Sequence, residues 1–190
     1  MSESTLAKSR PKKILHITLI ALFAALIAGG SFITIPVPFS PVPIVLQNLF
    51  IVLSGLILGP RLGTAAVALF LVTGALGLPV FSGAGGGFAR FAGPTGGYLA
   101  GYLLAAPLAG FTAGRPAKET SIIRIVLAAI PGFLIIYVPG CLWLYRFMGN
   151  WPKTFAAGFF PFLIGDCIKI AIALPFAKRL RRTTADLLYG

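Results

Sequence analysis

Apolar residues gather into six stretches along this chain, at about 14–33, 44–58, 64–80, 96–113, 122–147 and 155–177. A helix that crosses a bilayer needs about 20 mostly apolar residues and satisfies its own backbone hydrogen bonds. The pattern therefore predicts an all-α integral membrane protein with six transmembrane helices, the second short and the fifth and sixth interrupted by proline. No segment outside these stretches is long enough for a soluble domain, so residues 1–190 are expected to form a single membrane domain.

Composition agrees with this pattern. Of 190 residues 57% are apolar and only 11% are charged, against about 25% charged in soluble domains. The N-terminal basic residues Lys8, Arg10, Lys12 and Lys13 precede an apolar run longer than the core of a signal peptide, and no small-residue cleavage site follows. The first stretch is thus expected to be a retained helix, with the mature chain beginning near Met1.

The net charge of +12 changes the picture mainly through its distribution. With the N-terminus inside, the inner side collects the four tail residues, Arg61, then Arg115, Lys118 and Arg124, and finally Lys178, Arg179, Arg181 and Arg182. Only Arg90, Arg146 and Lys153 fall outside, and Lys169 lies within a span. Short cytoplasmic loops retain Lys and Arg, so both termini are predicted to be cytoplasmic. Trp143, Tyr145 and Trp151 then gather at the outer end of the fifth span, where amphipathic rings favour the headgroup level. Basic residues spread over membrane flanks point to anionic lipid as a contact and give no surface for nucleic acid.

Several chemistries fall away. His16 is the only histidine and sits at a membrane flank, which leaves no Ser/His/Asp or Cys/His catalysis and no H-E-x-x-H zinc site. Cys141 and Cys167 occupy different apolar stretches and lack a third ligand, so they are expected to be packed free thiols rather than a metal site. The run Gly83-Ala84-Gly85-Gly86-Gly87 has neither the spacing nor the Lys-Ser/Thr ending of a P-loop. No cofactor, metal or catalytic residue is expected, and the chain does not hydrolyse ATP by that route.

Polar groups in or beside the membrane supply the candidate chemistry. Asp166 and Lys169 lie near the middle of the sixth stretch, where one charge costs about 2.5–3.5 kcal/mol on the insertion scale. Their i, i+3 spacing places them on one helix face, either as an internal ion pair or as two groups facing a polar cavity. The outer segment 81–98 sets Arg90 among Phe81, Phe88, Phe91 and Tyr98 within a glycine-rich loop. It reads either as a connector with a headgroup-binding arginine or as a lid over a partly apolar organic acid. The prolines of 36–43 predict a stiff, extended outer connection. Gln47 and Asn48 follow at a depth where an unpaired amide is costly, so each bonds another helix or a ligand. Ala21, Ala24, Ala25, Ala28 and Gly29 form overlapping small-xxx-small pairs that allow close helix approach, to a partner or within the chain.

The sequence resembles the BioY family, the biotin-binding substrate components of energy-coupling factor transporters. The resemblance runs from about Ala24 to Ala177 and rests on the combined order of several motifs. These are Pro41-Val42-Pro43-Ile44-Val45-Leu46-Gln47, Leu58-Gly59-Pro60-Arg61-Leu62-Gly63, Gly74-Ala75-Leu76-Gly77-Leu78-Pro79-Val80-Phe81, Gly93-Pro94-Thr95-Gly96-Gly97-Tyr98 and Gly165-Asp166-Cys167-Ile168-Lys169. It implies high-affinity capture and uptake of biotin across the bacterial cytoplasmic membrane, with a transmembrane coupling protein and two cytoplasmic ATPases as partners. It also implies docking of the coupling protein on Ala21, Ala25 and Ala28, and ligand binding by Asp166 and Lys169. Biotin's chemistry suggests the rest. Asp166 would accept from the ureido N–H groups, and Lys169 would donate to the ureido oxygen or pair with Asp166. Arg90 would meet the carboxylate, Phe81 and Tyr98 the rings and tail, and Gln47 completes the set. The competing classes are a proton-coupled carrier or intramembrane enzyme using Asp166, and a structural membrane subunit.

Overall fold

The computed structural model describes residues 3–117 and 119–189, with side chains from Lys12 to Leu188. Met1, Lys118 and the side chains of Lys8 and Arg10 lie outside the described residues. In chain order the elements are α1 (Glu3–Phe32), β1 (Thr34–Ile35), β2 (Ile44–Val45), α2 (Gln47–Ala75), α3 (Ala89–Ala92), α4 (Gly96–Ala113), α5 (Ile122–Met148), α6 (Trp151–Gly158) and α7 (Phe160–Tyr189). Among the described residues four helical stretches are long and apolar enough to cross a membrane, Lys12–Phe32, Gln47–Ala75, Ile122–Met148 and Trp151–Leu188. The chain is a multi-pass membrane protein whose outward surface carries large apolar side chains, including Leu127, Ile168, Ile172 and Phe176.

The stretches predicted at 44–58 and 64–80 form one element, α2, broken at Gly59. Gly59 has φ 82° and ψ 175°, a conformation that suits glycine, and the proline after it cannot continue the ladder. The halves fold back on each other: the Gly63 carbonyl accepts from Ser54 Oγ at 3.4 Å, and a Cβ on Gly63 would strike the Ser54 and Gly55 backbone. The second apolar run stops at Ala75, so 76–80 belong to the loop. The prolines of α5, Pro131 and Pro139, sit inside a continuous helix and do not interrupt it. In the last stretch the break falls at Phe159 (φ −129°, ψ −64°), between α6 and α7 and two residues before Pro161, whereas Pro175 sits inside α7. α7 also continues to Tyr189, well past the predicted end.

Two connections differ from the sequence reading. The proline-rich segment is held by a short antiparallel ladder, Thr34 opposite Val45 and Ile35 opposite Ile44, so it folds as a hairpin over the bundle. The glycine loop contains one turn of helix, α3, which carries Arg90. Its remainder is pinned by a Phe81–Gly85 bridge and by the Gly87 N–H donating to the Gly74 carbonyl at 2.7 Å. The loop is thus built against α2, not draped over it.

α4 packs on α2 and α5, α1 on α2, and α7 on α2 and α5. Small residues make these approaches close. Gly97 and Gly101 of α4 face the backbone of Pro139 and Ile136, and Gly55 of α2 lies against the Ala106 carbonyl. The resulting core joins Ile51, Leu56, Val67, Phe70, Ala105 and Ile136. At Gly55 an added methyl would meet fixed backbone, and overpacking of this kind costs about 1–3 kcal/mol. Gly55→Ala is therefore expected to lower the thermal midpoint of the purified chain by several degrees; an unchanged midpoint would show that α2 and α4 can separate freely.

The basic residues counted as inner flank do not all reach the surface. Arg181 is fully buried, and its guanidinium bonds carbonyls at the ends of two helices. Of the two cysteines, Cys141 is buried and Cys167 is exposed on the outward face, so only the first is packed inside. Tyr145 and Trp151 stack at 4.4 Å between centroids. Trp143 instead donates from Nε1 to the Gly93 carbonyl at 2.9 Å and lies under the Arg146 guanidinium.

Candidate functional site

At the end of the bundle that carries the hairpin and the glycine loop there is a cavity of about 200 Å³. That is below the roughly 300 Å³ where drug-sized pockets begin, so it suits a compact small molecule. The hairpin contributes Pro41, Val42 and Val45, and the first turn of α2 contributes Gln47 and Asn48. The loop and α3 add Phe81, Ser82 and Arg90, while Thr95 at the N-cap of α4 is joined by Tyr98 and Tyr102 from that helix, and α7 adds Phe162. Residues remote in sequence converge here because the α2 N-terminus, the α4 N-terminus and both outer connections lie at the same end of the bundle.

Each polar group on the wall has a structural reason for its position. The Tyr98 ring lies where Cβ atoms on Gly140 and Gly158 would otherwise stand, and its hydroxyl donates to the Gly158 carbonyl at 2.8 Å. Phe81 is held edge-on to Phe70 at 5.4 Å and to Phe91 at 5.8 Å, with its ring against Gly74. The Arg90 guanidinium crosses Gly85, a position that any side chain at 85 would block. The Tyr102 hydroxyl donates to Asn48 Oδ1 at 2.9 Å, so Asn48 bonds another helix. Gln47 is buried, and its Nε2 has no hydrogen-bond partner among the described residues. An amide donor left open at a cavity wall is costly unless an acceptor arrives.

Behind that wall lies the charged pair. Asp166 and Lys169 pair at 2.7 Å between Oδ1 and Nζ, with Asp166 buried and Lys169 nearly so. The Tyr137 hydroxyl donates to Asp166 Oδ2. Lys169 Nζ donates also to the Val45 carbonyl at 2.9 Å, which ties the pair to the hairpin that covers the cavity. Gln47, Phe81, Arg90 and Tyr98 thus meet on one cavity, whereas Asp166 and Lys169 stand one layer behind it, linked through Val45. Tyr137, Tyr102 and Phe162 had no distinguishing signal in the sequence. Isolated aromatic residues in apolar helices read as ordinary core, and only the polar partners from other helices set them apart.

On α1, Phe23, Ala24 and Ile27 face the core, while Ala21 and Ala25 are exposed and Ala28 is half-buried. The small-residue face is therefore turned outward over most of its length.

Residues 3–186 match the model of the BioY family, a span wider at both ends than the motifs indicated. A probable biotin transporter BioY of Pyrococcus horikoshii is 40% identical over 90% of this chain and 99% of its own length. The biotin transporter BioY of Thermotoga maritima is 40% identical over 87% of this chain and 95% of its own. Among solved structures, the S-component for biotin from an ECF-type ABC transporter superposes with a TM-score of 0.80 at 31% identity, covering 96% of this chain and 95% of that one.

Proposed function

The chain belongs to the BioY family, and from that premise we propose that it captures biotin as the substrate-specific component of an energy-coupling factor transporter. The relatives are named transporters, and the reading assigns this chain uptake rather than catalysis. The observation that carries it is the cavity, where aromatic rings stand beside the Arg90 cation and the open amide of Gln47. Biotin offers fused, largely apolar rings, a ureido group with two N–H donors and one carbonyl, and a terminal carboxylate. Arg90 takes the carboxylate, Phe81 and Tyr98 flank the rings and tail, and the Gln47 amide donates to a ligand oxygen. Asp166 and Lys169 form the inner end of the site, where ureido N–H groups join or replace the present partners of the carboxylate.

The bundle crosses the cytoplasmic membrane six times in this reading: α1, the two halves of α2, α4, α5 and α7, with both ends inside. Energy comes from a transmembrane coupling protein and two ATPase subunits. The outward face of Ala21, Ala25 and Ala28 receives the coupling protein, because small side chains admit close helix approach in lipid. Equilibrium binding of biotin to the detergent-solubilised chain tests the core of the reading. Tight one-to-one binding is expected, and no binding by a well-folded chain would end it.

Arg90→Ala sets the ligand's direction. A charge-assisted hydrogen bond carries about 1.5–3 kcal/mol, so biotin should bind tenfold or more weakly to the variant. Biotin amidated at its tail has no carboxylate to lose and should be little affected. Equal losses for both ligands would sink the carboxylate assignment.

A further inference from the structure

At the end of the bundle opposite the cavity lies a second concavity, an open groove of about 720 Å³ that biotin capture does not use. Four basic side chains line it: Lys12 and His16 of α1, Arg61 just past the α2 bend, and Arg115 just past α4. Its other walls are apolar, formed by Leu58, Leu62, Phe111 and Leu188, with Phe111 72% exposed. Among the described residues no carboxylate belongs to the lining. The groove joins the interior of α1, the bend of α2 and the C-terminal ends of α4 and α7, so its shape is a product of the tertiary fold and not of one charged segment.

We propose that this groove is a binding site for an anionic glycerophospholipid, with the phosphate among the four basic side chains and an acyl chain along Leu58, Leu62 and Phe111. The proposal rests on the topology given above, which places this end at the cytoplasmic leaflet. Basic pockets between membrane helices on that side hold anionic headgroups, and each Lys or Arg adds attraction that falls off over about a Debye length. A soluble phosphate compound would match the cations but would leave the apolar wall in water. A diacyl lipid covers both, and the groove already lies where headgroup and chain meet. An acidic protein segment would match the charge as well, but Phe111 and its apolar neighbours continue the lipid-facing surface of α4, where Leu103 and Leu104 are also exposed.

The test is native mass spectrometry of the purified chain with phosphatidylglycerol or phosphatidylcholine of the same acyl composition, for wild type and Arg61→Gln/Arg115→Gln. Wild type is expected to retain phosphatidylglycerol preferentially, and the double variant should lose about tenfold or more of that preference. Arg61→Lys/Arg115→Lys should keep it, and biotin binding should stay unchanged in both, which certifies the fold. Equal retention of the two lipids by wild type, or an unchanged preference in the glutamine variant, would overturn the site. So would displacement of the lipid by pyrophosphate at equal concentration, which would make it a soluble-anion site. Loss of the coupling protein from the glutamine variant with lipid retention intact would make it a protein dock and also overturn it. Failure of wild type to bind biotin would count against the transport reading and leave the lipid result standing, since a detergent-solubilised chain presents both ends.

Discussion

Asp166→Asn is expected to weaken biotin binding by a hundredfold or more, and a second substitution should separate the two reasons for that loss. The carboxylate now takes a hydrogen bond from Tyr137 and pairs with Lys169 inside the bundle. Neutralising it leaves the Lys169 ammonium without its counter-charge, and breaking one side of a buried pair costs about 3–5 kcal/mol. The single variant should therefore lose stability as well as affinity. In Asp166→Asn/Lys169→Met the stranded charge is gone, because a buried pair exchanged for well-packed neutral groups is often neutral or stabilising. That double variant should recover its thermal midpoint. Its affinity should stay low if Asp166 accepts the ureido N–H groups, since charge-assisted hydrogen bonds of about 1.5–3 kcal/mol each are then missing. Recovery of both midpoint and affinity would return the pair to a structural role behind the cavity wall.

The link from Lys169 to Val45 gives this pair a second consequence. Val45 belongs to β2, and the hairpin of β1 and β2 covers the cavity, so one ammonium holds both the carboxylate and the covering strand. The polar residues of the sequence name Asp166 and Lys169 from their cost in lipid, but not Val45, whose part is played by its backbone carbonyl. Legibility fails elsewhere for similar reasons. Long apolar runs were readable, and the run at 96–113 coincides with α4, because membrane burial demands them. The reversal at Gly59-Pro60 was readable as a gap between two runs, since that dipeptide breaks a helix in any context. The hairpin was not, because two-residue strands carry no periodic signal. The break at Phe159 lies between Gly158 and Pro161, so an interruption of the last run was readable, but its exact place was not. Gln47, Phe81, Arg90 and Tyr98 were legible as candidates one by one. Their meeting on one cavity follows from the way α2 folds back and brings the glycine loop to the hairpin end.

Arg181 shows the limit most sharply, and it carries the second large expected effect. In the sequence it is one of four basic residues in a short run, with Lys178, Arg179 and Arg182, all of which read as membrane flank. In the fold it alone turns inward and is fully buried. Its Nη1 donates to the Leu56 carbonyl and its Nη2 to the carbonyls of Ala113, Gly114 and Arg115 at 3.3, 3.2 and 3.0 Å. These acceptors end the first half of α2 and all of α4, where carbonyls lack intrahelical partners and the helix dipole is negative. One guanidinium therefore serves two helix ends, a task its planar fork suits and an ammonium does not. Arg181→Met would relieve the burial of a charge, which favours the variant, but it would leave several buried carbonyls open at about 1–3 kcal/mol each. The second effect wins because more than one acceptor is orphaned at once. The expected net loss is about 3 kcal/mol or more, a drop in thermal midpoint on the order of 6–12 °C for a chain of this size. Arg181→Lys, which keeps the charge but reaches fewer carbonyls, should fall between. Because the cavity lies at the opposite end of the bundle, the folded fraction of either variant should bind biotin as wild type does. A methionine variant as stable as wild type would show that water replaces the guanidinium at both helix ends, and the two helices would then be held by their glycine contacts alone.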